Sequence, residues 1–389
     1  MPEIETEFDQ LQEQLSSGGI HALLESTAAQ LRVQRKHHEL FEVLKMQVRH
    51  RLELPLLYHD TGDELDEQLR EQLENGLLDA CREVGNLLLG DAKVREGWMY
   101  LRPVGNQAEV ARQLAQIEPD ENNLEELVEV MLHEGVDPAR GYALVLENYG
   151  TCNAITTYES SMNRHSKSDQ QATAGLLVEH LHRELLASVV ADIAQREGSE
   201  PTEKTLRELV ADRDLLFGEH SYHIDTTHLA STVRFSRVLD EEHLLRLALD
   251  LIEYGRRLNP QFQYQGEGPF ADLYPSHALY LGAILGEHVD EAIEYFSTRA
   301  ETLDVDEHGS LPIEAYVQLL DRLGRYDLAT ETLIRSTESD AVQASQVIPL
   351  LVDLAGKSGK FEPLIQFCRQ RGDLLGFATA LAQAKQAES

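Results

Sequence analysis

The sequence predicts an all-α protein. Apolar residues recur every three or four positions along almost every segment, as Leu65, Leu69 and Leu73 do, and this is the spacing of a helix face. Alternating runs of β-branched residues, which would indicate strands, are nearly absent. Glycines and prolines interrupt the pattern often enough to separate short helices, for example at Gly19 and Pro55. We therefore expect antiparallel helical hairpins, with a more compact helical region in the middle of the chain.

The N-terminal part, residues 1–120, is predicted to consist of such hairpins. Gly18 and Gly19 separate its first two helices, Pro55 closes the next pair, and Pro119 ends the last one. A long acidic helix begins at Asp63, and its leucines fall on one stripe. We recognise no catalytic or binding motif in this part. The predicted helices cover residues 3–16, 20–34, 36–54, 63–90 and 107–117.

The central part, residues 121–260, contains a helix from about 168 to 196 that differs from its neighbours. At roughly 100° per residue its apolar side chains occupy two sides, and a helix that is apolar on both sides is normally buried. One side carries Leu176, Leu177, Leu181 and Leu185, and the other carries Leu186, Val189, Val190 and Ile193. Residues 160–170 are polar and unpatterned, which predicts a loop. Shorter helices are expected at 124–133, 138–147, 226–239 and 241–258.

The C-terminal part, residues 261–389, carries a repeated pattern. Gly324-x-Tyr326-x-x-Ala329-x-x-x-Leu333 recurs 35 residues later as Gly359-x-Phe361-x-x-Leu364-x-x-x-Cys368. An imperfect earlier copy comprises Leu281, Gly282, Leu285, Ala292 and Phe296. The repeats follow a predicted loop, 259–274, with four aromatic residues, and loops of that length tend to line a site.

This pattern resembles the tetratricopeptide repeat, a helical hairpin with a period of about 34 residues. The glycine allows the turn between paired helices to close, and the aromatic and alanine positions allow the helices to approach. The resemblance covers at most residues 276–389, and Leu333 and Cys368 occupy a position where the family has Phe. It implies hairpins stacked as an α-solenoid with a right-handed superhelix, and partner binding on a concave face. No catalytic residue carries over from it.

The charge of the chain limits its partners. Acidic residues number 68 and basic residues 34, so the net charge is -34 and the surrounding field is strongly negative. Nucleic acid and anionic membrane both need Lys and Arg contacts, so we expect neither as a partner. Basic peptides, basic protein surfaces and cations are compatible with this charge.

The cysteines and the N-terminus indicate a compartment. Cys81, Cys152 and Cys368 are far apart and odd in number, which suits neither a disulfide framework nor a four-cysteine zinc site. The first residues lack the basic and apolar segments of a secretory signal, and no stretch reaches the roughly 18 apolar residues of a membrane span. We therefore expect a soluble protein of the reducing cytoplasm.

The stretch from Glu219 to Leu229, EHSYHIDTTHL, concentrates histidine and aspartate at the start of a predicted helix. One hypothesis is a metal centre formed by this stretch and by the long central helix. Its ligands would be His223, Asp225, His228 and either His180 or Glu184. Neutral imidazoles and a carboxylate suit Zn(II), Fe(II) or Mn(II), and an open coordination position would activate water. The spacing His-x-Asp-x-x-His matches no established metal motif.

The alternative interpretation of the same residues is architectural. Asp225 would cap the helix by accepting a hydrogen bond from a backbone N–H near His228. His228 would then hydrogen-bond inside the bundle and His223 would face water, while His180 would pair with Glu184.

Cys152 is a separate candidate, as a nucleophile. Gly150 can end one helix and Thr151 can cap the next, so Cys152 would lie in a first turn, where the helix dipole favours a thiolate. One of the histidines would have to serve as its base. The alternative is a small buried residue where two helices meet, because free cysteine is among the most buried residue types.

Two functions are compatible with these observations. The first is a helical-repeat scaffold that binds a protein or peptide. The second is a metal-dependent, hydrolase-like enzyme with a pocket between the long helix, the histidine stretch and the aromatic loop. The sequence contains no Walker loop, dinucleotide-binding glycine pattern, HExxH or GxSxG, and this favours the scaffold.

Overall fold

The computed structural model describes residues 2–57, 65–338 and 344–387. In these residues the chain forms nineteen α-helices joined by short 3-10 segments and one turn of π-helix, and it forms no strand. The predicted all-α class is therefore confirmed for this part of the chain. None of the described helices combines the length and the hydropathy needed to span a lipid bilayer.

The helices group into two compact units, residues 1–150 and 151–389, and the three-part division at 120 and 260 stays a prediction. The N-terminal unit contains α1 (Pro2–Val33), α2 (His37–Arg51), α3 (Glu67–Gly90), α4 (Val94–Leu101), α5 (Gln107–Leu114), α6 (Leu124–Val128) and the first part of α7 (Pro138–Ser161). The C-terminal unit contains the rest of α7, α8 (Lys167–Glu197), α9 (Leu206–Ala211), α10 (Thr226–Phe235), α11 (Glu242–Arg257), α12 (Leu273–Ile284), α13 (Val289–Thr302), α14 (Val305–His308), α15 (Leu311–Arg322), α16 (Tyr326–Glu338), α17 (Ala344–Ser358), α18 (Glu362–Arg371) and α19 (Leu374–Ala387).

In the N-terminal unit, α1, α2 and α3 pack around a shared apolar core that includes Leu24, Leu40 and Leu88. The predicted break between the first two helices takes the form of a kink, because Gly19 (φ 71°) departs from helical geometry inside α1. The predicted start of the acidic helix at Asp63 lies outside the described residues. The described part of that helix begins after Asp66, whose side chain accepts a hydrogen bond from the backbone N–H of Leu69 and caps it.

The long central helix is present as α8, but its burial differs from the prediction. In its first half, Leu177 and Val178 are fully buried, whereas Ala172 and Glu179 on another face are exposed. Further along, one stripe is buried, which consists of Leu181, Leu185, Val189 and Ile193. Leu186 and Val190 on the other side are only half-buried. The prediction of burial on both sides was therefore wrong for the second half of α8, which has one face against α9, α10 and α11 and the other open.

Two segments that were predicted as loops contain short 3-10 turns. Between α7 and α8 the chain makes a single 3-10 turn, Met162–Arg164, and Ser166 caps α8 by accepting from the backbone N–H of Asp169. The aromatic segment 259–274 contains 3-10 turns at Pro260–Phe262 and Gly268–Phe270. Phe270 and Tyr274 point into the core and are buried, so they contribute packing rather than an open lining.

Three successive hairpins follow, and a glycine in the left-handed region closes each one. Gly286 (φ 83°) joins α12 to α13, Gly324 (φ 67°) joins α15 to α16, and Gly359 (φ 70°) joins α17 to α18. Two of the positions that the sequence pattern aligned are buried in every copy. They are Ala292 and Phe296, Ala329 and Leu333, and Leu364 and Cys368. The repeated pattern therefore corresponds to repeated hairpins with matching buried pairs.

Candidate functional site

The side chain of His223 connects α8 to α11. Its Nε2 lies 3.0 Å from Oδ2 of Asp192, and its Nδ1 lies 2.9 Å from the hydroxyl oxygen of Tyr254. The backbone N–H of His223 donates to the same hydroxyl oxygen at 2.9 Å, so the hydroxyl proton is left to point at Nδ1, and Nε2–H donates to Asp192. The side chain is 7% exposed, and the expectation that His223 faces water was wrong. It fastens the segment before α10 to two helices.

Asp225 caps α10, as the architectural interpretation predicted. Its Oδ1 accepts from the backbone N–H of Thr227 at 2.8 Å, from the Thr227 hydroxyl at 2.6 Å and from the backbone N–H of His228 at 3.3 Å. The Thr227 hydroxyl and these N–H groups hold the pKa of Asp225 below its ordinary value. The ring of His228 is half-buried, and its hydrogen bond inside the bundle stays a prediction.

His180 has its own partners on α7 and α8. Its Nε2 lies 3.2 Å from Oε1 of Glu184 and 3.1 Å from Oγ1 of Thr151, and its Nδ1 accepts from Nη2 of Arg183 at 3.2 Å. The predicted pairing of His180 with Glu184 is therefore present. Both ring nitrogens are engaged by neighbours that differ from those of His223.

These contacts bear on the predicted metal centre. Within residues 2–57, 65–338 and 344–387, no three His, Cys, Asp or Glu side chains are arranged so that they could hold a metal ion. The side chains of His223, Asp225 and His180 belong to separate hydrogen-bond groups, and Glu184 belongs to that of His180. The hypothesis of a Zn, Fe or Mn site thus has no converging ligand set to support it in the described residues.

Cys152 is placed where the sequence predicted but is not buried. Gly150 (φ 81°) interrupts the helical geometry of α7 just before it, and the thiol is exposed, so the expectation of a buried cysteine was wrong. In the described residues no histidine lies within hydrogen-bond distance of its Sγ, and His180 pairs with Thr151 instead. Cys152 thus has the exposure of a reactive thiol without the base that a nucleophilic mechanism requires.

The C-terminal unit contains an open groove of about 940 Å³, which we call the charged groove. It lies between α9, α11, α12 and α13. Half-buried apolar residues such as Leu249 and Leu279 form its floor. Its walls carry charges of both signs. They are Arg207, Arg256 and Arg257 from α9 and α11, and Glu253, Asp272, Glu287 and Glu291 from α11 to α13.

We call Arg207, Arg256 and Arg257 the arginine wall of the charged groove, and Asp272, Glu287 and Glu291 its acidic wall. The two walls differ in how well their charges are paired. On the arginine wall, Arg257 lies 2.8 Å from Asp214 and Arg207 lies 3.2 Å from Asp250. On the acidic wall, Glu287 has its nearest cation, Arg246, at 3.8 Å. Asp272 has Arg299 at the same distance of 3.8 Å. The acidic wall therefore retains more capacity to bind an added cation than the arginine wall retains for an anion.

A second opening, of about 510 Å³, lies between α7, α10, α12 and α15, and we call it the arginine cavity. Arg234, Arg237 and Arg322 contribute to its lining. Burial lowers the pKa of the Arg237 guanidinium, and the nearby charge of Arg234 lowers it further. Tyr280 also lines the cavity, and burial raises the pKa of its hydroxyl.

The sequence analysis considered histidines and overlooked these arginines. One signal was available, since Arg234 and Arg237 lie three residues apart in an acidic chain. The contact between Arg237 and Arg322 could not be predicted, because these residues are 85 positions apart in the sequence. In the fold, Nη1 of Arg322 donates a hydrogen bond to the Arg237 carbonyl at 2.6 Å.

Comparison of the chain with models of protein families, with curated proteins and with solved structures gave no significant match.

Proposed function

We propose that this protein is a helical-repeat scaffold that binds a protein or peptide partner, and that the charged groove receives a segment of that partner. The observation that carries the proposal is an open groove of about 940 Å³, lined by apolar and charged side chains, one side of which is formed by the first hairpin, α12 and α13. Apolar contact supplies binding free energy, and charged rims select the partner and its orientation.

The hairpins supply the rigid support. Each of the three is closed by a left-handed glycine and has a buried pair in its second helix. The resemblance of their pattern to the tetratricopeptide repeat supports stacking as an α-solenoid with a partner-binding face, and this stacking is part of the proposal. The three unpaired cysteines support a reducing compartment such as the cytoplasm.

The partner segment is expected to carry basic and apolar side chains. The net charge of -34 attracts basic partners over long range. At short range, Glu287 and Glu291 stand exposed on the acidic wall, where a Lys or Arg of the partner can approach. Leu279 and its neighbours on the floor receive the apolar side chains.

Selection from a displayed library of random peptides tests the proposal. We expect the selected peptides to be enriched in basic and apolar residues and to bind the purified protein less tightly as salt increases. The double variant Glu287→Gln with Glu291→Gln removes two exposed charges, each contributing about 0.2 to 1 kcal/mol, and so weakens binding by about two- to thirtyfold. Glu294→Gln is the matched control, because Glu294 is an exposed glutamate of α13 that does not line the groove.

Two outcomes would count against the proposal. One is that no peptide is enriched over a selection without the protein. The other is that enriched peptides bind the double variant as tightly as the wild type, which would place their site elsewhere.

A further inference from the structure

The geometry points to a second site: the arginine cavity binds a small organic oxyanion, a carboxylate or phosphate, whose charged group pairs with Arg237. This inference is independent of the proposed peptide binding in the charged groove. It depends on the pairing of charges in the cavity and on the character of its walls.

Arg237 has an unsatisfied guanidinium. Its Nε donates to the carbonyl of Arg234 at 3.0 Å, and its Cζ lies 4.7 Å from the centre of the Phe270 ring. In the described residues, neither terminal nitrogen has a hydrogen-bond acceptor, and no carboxylate lies within 4.0 Å of them. The charge of the exposed Glu267 raises the pKa of Arg237 without forming an ion pair with it. A charge in a desolvated position without a counter-ion is costly, so an anionic ligand would relieve it.

The other charges that line the cavity are already paired. Arg234 lies 3.3 Å from Glu159, and Arg322 lies 2.7 Å from Asp240. Lys167 lies 3.6 Å from the same Asp240. The carboxylate of Asp321 is held by Lys357 at 2.8 Å. Nε of Arg322 is buried without a hydrogen-bond partner, but its Nη2 pairs with Asp240. Among the described residues, Arg237 is therefore the cation of this lining that lacks a carboxylate partner, and its planar fork suits the paired oxygens of a carboxylate or phosphate.

The rest of the cavity suits an organic body. The ring of Tyr158 stacks on Phe235 with centres 4.2 Å apart and planes 22° apart, and this pair forms an aromatic wall. Met162 and Leu311 add apolar surface. A volume of about 510 Å³ lies in the range of small-molecule sites and exceeds what a lone inorganic ion would fill. We therefore infer a ligand with an anionic group at Arg237 and an apolar or aromatic body against the wall.

Titration calorimetry and thermal unfolding, in buffer free of phosphate, test this site. The probes are phenyl phosphate, benzoate, inorganic phosphate and phenol. We expect at least one aromatic anion to bind saturably and to raise the melting temperature. Comparing phenyl phosphate with benzoate distinguishes a phosphate from a carboxylate headgroup.

The variant Arg237→Gln removes the charge and keeps a side chain of similar reach. It should weaken binding of the aromatic anion by about tenfold or more, and its own melting temperature should not fall, because the variant loses an unpaired charge. Arg237→Lys, which keeps the charge without the planar fork, should bind with intermediate affinity. Arg325→Gln is the control, since Arg325 is exposed in the same unit and does not line the cavity.

Several results would overturn the inference. Absence of saturable binding by both aromatic anions would do so, as would equal affinity of the wild type and Arg237→Gln. If phenol bound as tightly as phenyl phosphate, the anionic group of the ligand would contribute nothing to binding. Inorganic phosphate that binds as tightly as phenyl phosphate would remove the role of the aromatic wall.

Discussion

Nε2 of His223 donates a hydrogen bond to Oδ2 of Asp192 across 3.0 Å, and through it the segment before α10 is attached to the long helix α8. The Asp192 carboxylate also accepts a hydrogen bond from Nε of Arg196 at 2.7 Å. Burial alone would raise the pKa of Asp192, but the hydrogen bonds from Arg196 and His223 outweigh it, so this pKa lies below its ordinary value. An ionised Asp192 therefore stabilises the folded state.

The first prediction concerns acid stability. Because the pKa of Asp192 is lower in the folded than in the unfolded chain, its contribution is present above the unfolded value and is lost as the pH falls through the folded value. Asp192→Asn should lower the free energy of unfolding by about 1 to 2 kcal/mol at pH 7. The difference from the wild type should shrink below the ordinary aspartate value of 3.8. Urea unfolding at several pH values measures both.

The control for this prediction is Asp212→Asn, which changes an exposed aspartate of the same unit and should leave the free energy of unfolding within about 0.5 kcal/mol of the wild type. A loss in Asp192→Asn that stayed constant down to the lowest pH would contradict the assignment, because it would show that the charge of Asp192 is not what the substitution removes.

The second prediction separates a helix cap from a metal ligand at Asp225. Asp225→Ala removes the acceptor of two backbone N–H groups and should lower the free energy of unfolding by about 0.5 to 2 kcal/mol. Asp225→Asn keeps an acceptor and should lose less. Elemental analysis of the purified protein accompanies the unfolding measurement. A much larger loss of stability together with release of Zn, Fe or Mn would contradict the capping role and favour the metal hypothesis.

The third prediction concerns the cysteines. Cys152 is exposed, whereas Cys81 is half-buried and Cys368 is buried. Burial raises the pKa of the Cys81 thiol, and burial together with the charge of Asp373 raises that of Cys368. Since the thiolate is the reactive form, one thiol of the native protein should react rapidly with a thiol reagent. We expect Cys152→Ser to abolish this fast phase. A fast phase that persisted in Cys152→Ser would show that another cysteine is accessible.

Local sequence rules predicted much of the helical architecture. The three- and four-residue spacing predicted the helices, and glycines at the turns predicted the hairpins at Gly324 and Gly359 because only local backbone geometry decides them. The cap at Asp225 followed in the same way. Burial along α8 was less predictable, because Leu186 is apolar yet only half-buried.

The candidate site was harder to predict because its contacts join distant parts of the chain. The burial of His223 depends on Tyr254 and Asp192, each 31 residues away on either side. The pairing of Arg322 with Asp240, which leaves Arg237 as the unpaired cation, likewise depends on tertiary packing. A histidine or arginine in the sequence shows which chemistry is available, but its partners decide whether that chemistry is used for packing or for a ligand.

The last prediction uses one substitution, glycine to alanine, at two positions where it should have opposite effects. Gly324 closes a hairpin at φ 67° with nothing near its Cα to obstruct a methyl group, so Gly324→Ala introduces backbone strain alone and should lower the free energy of unfolding by about 1 to 2 kcal/mol. Gly356 lies inside α17, where an added methyl group also has open space. Gly356→Ala should therefore raise the free energy of unfolding by about 0.5 to 1 kcal/mol. Urea unfolding of both variants measures the two changes. If Gly324→Ala were neutral or stabilising, the turn would not require the left-handed conformation, and the closure of the hairpins by glycine would have to be abandoned.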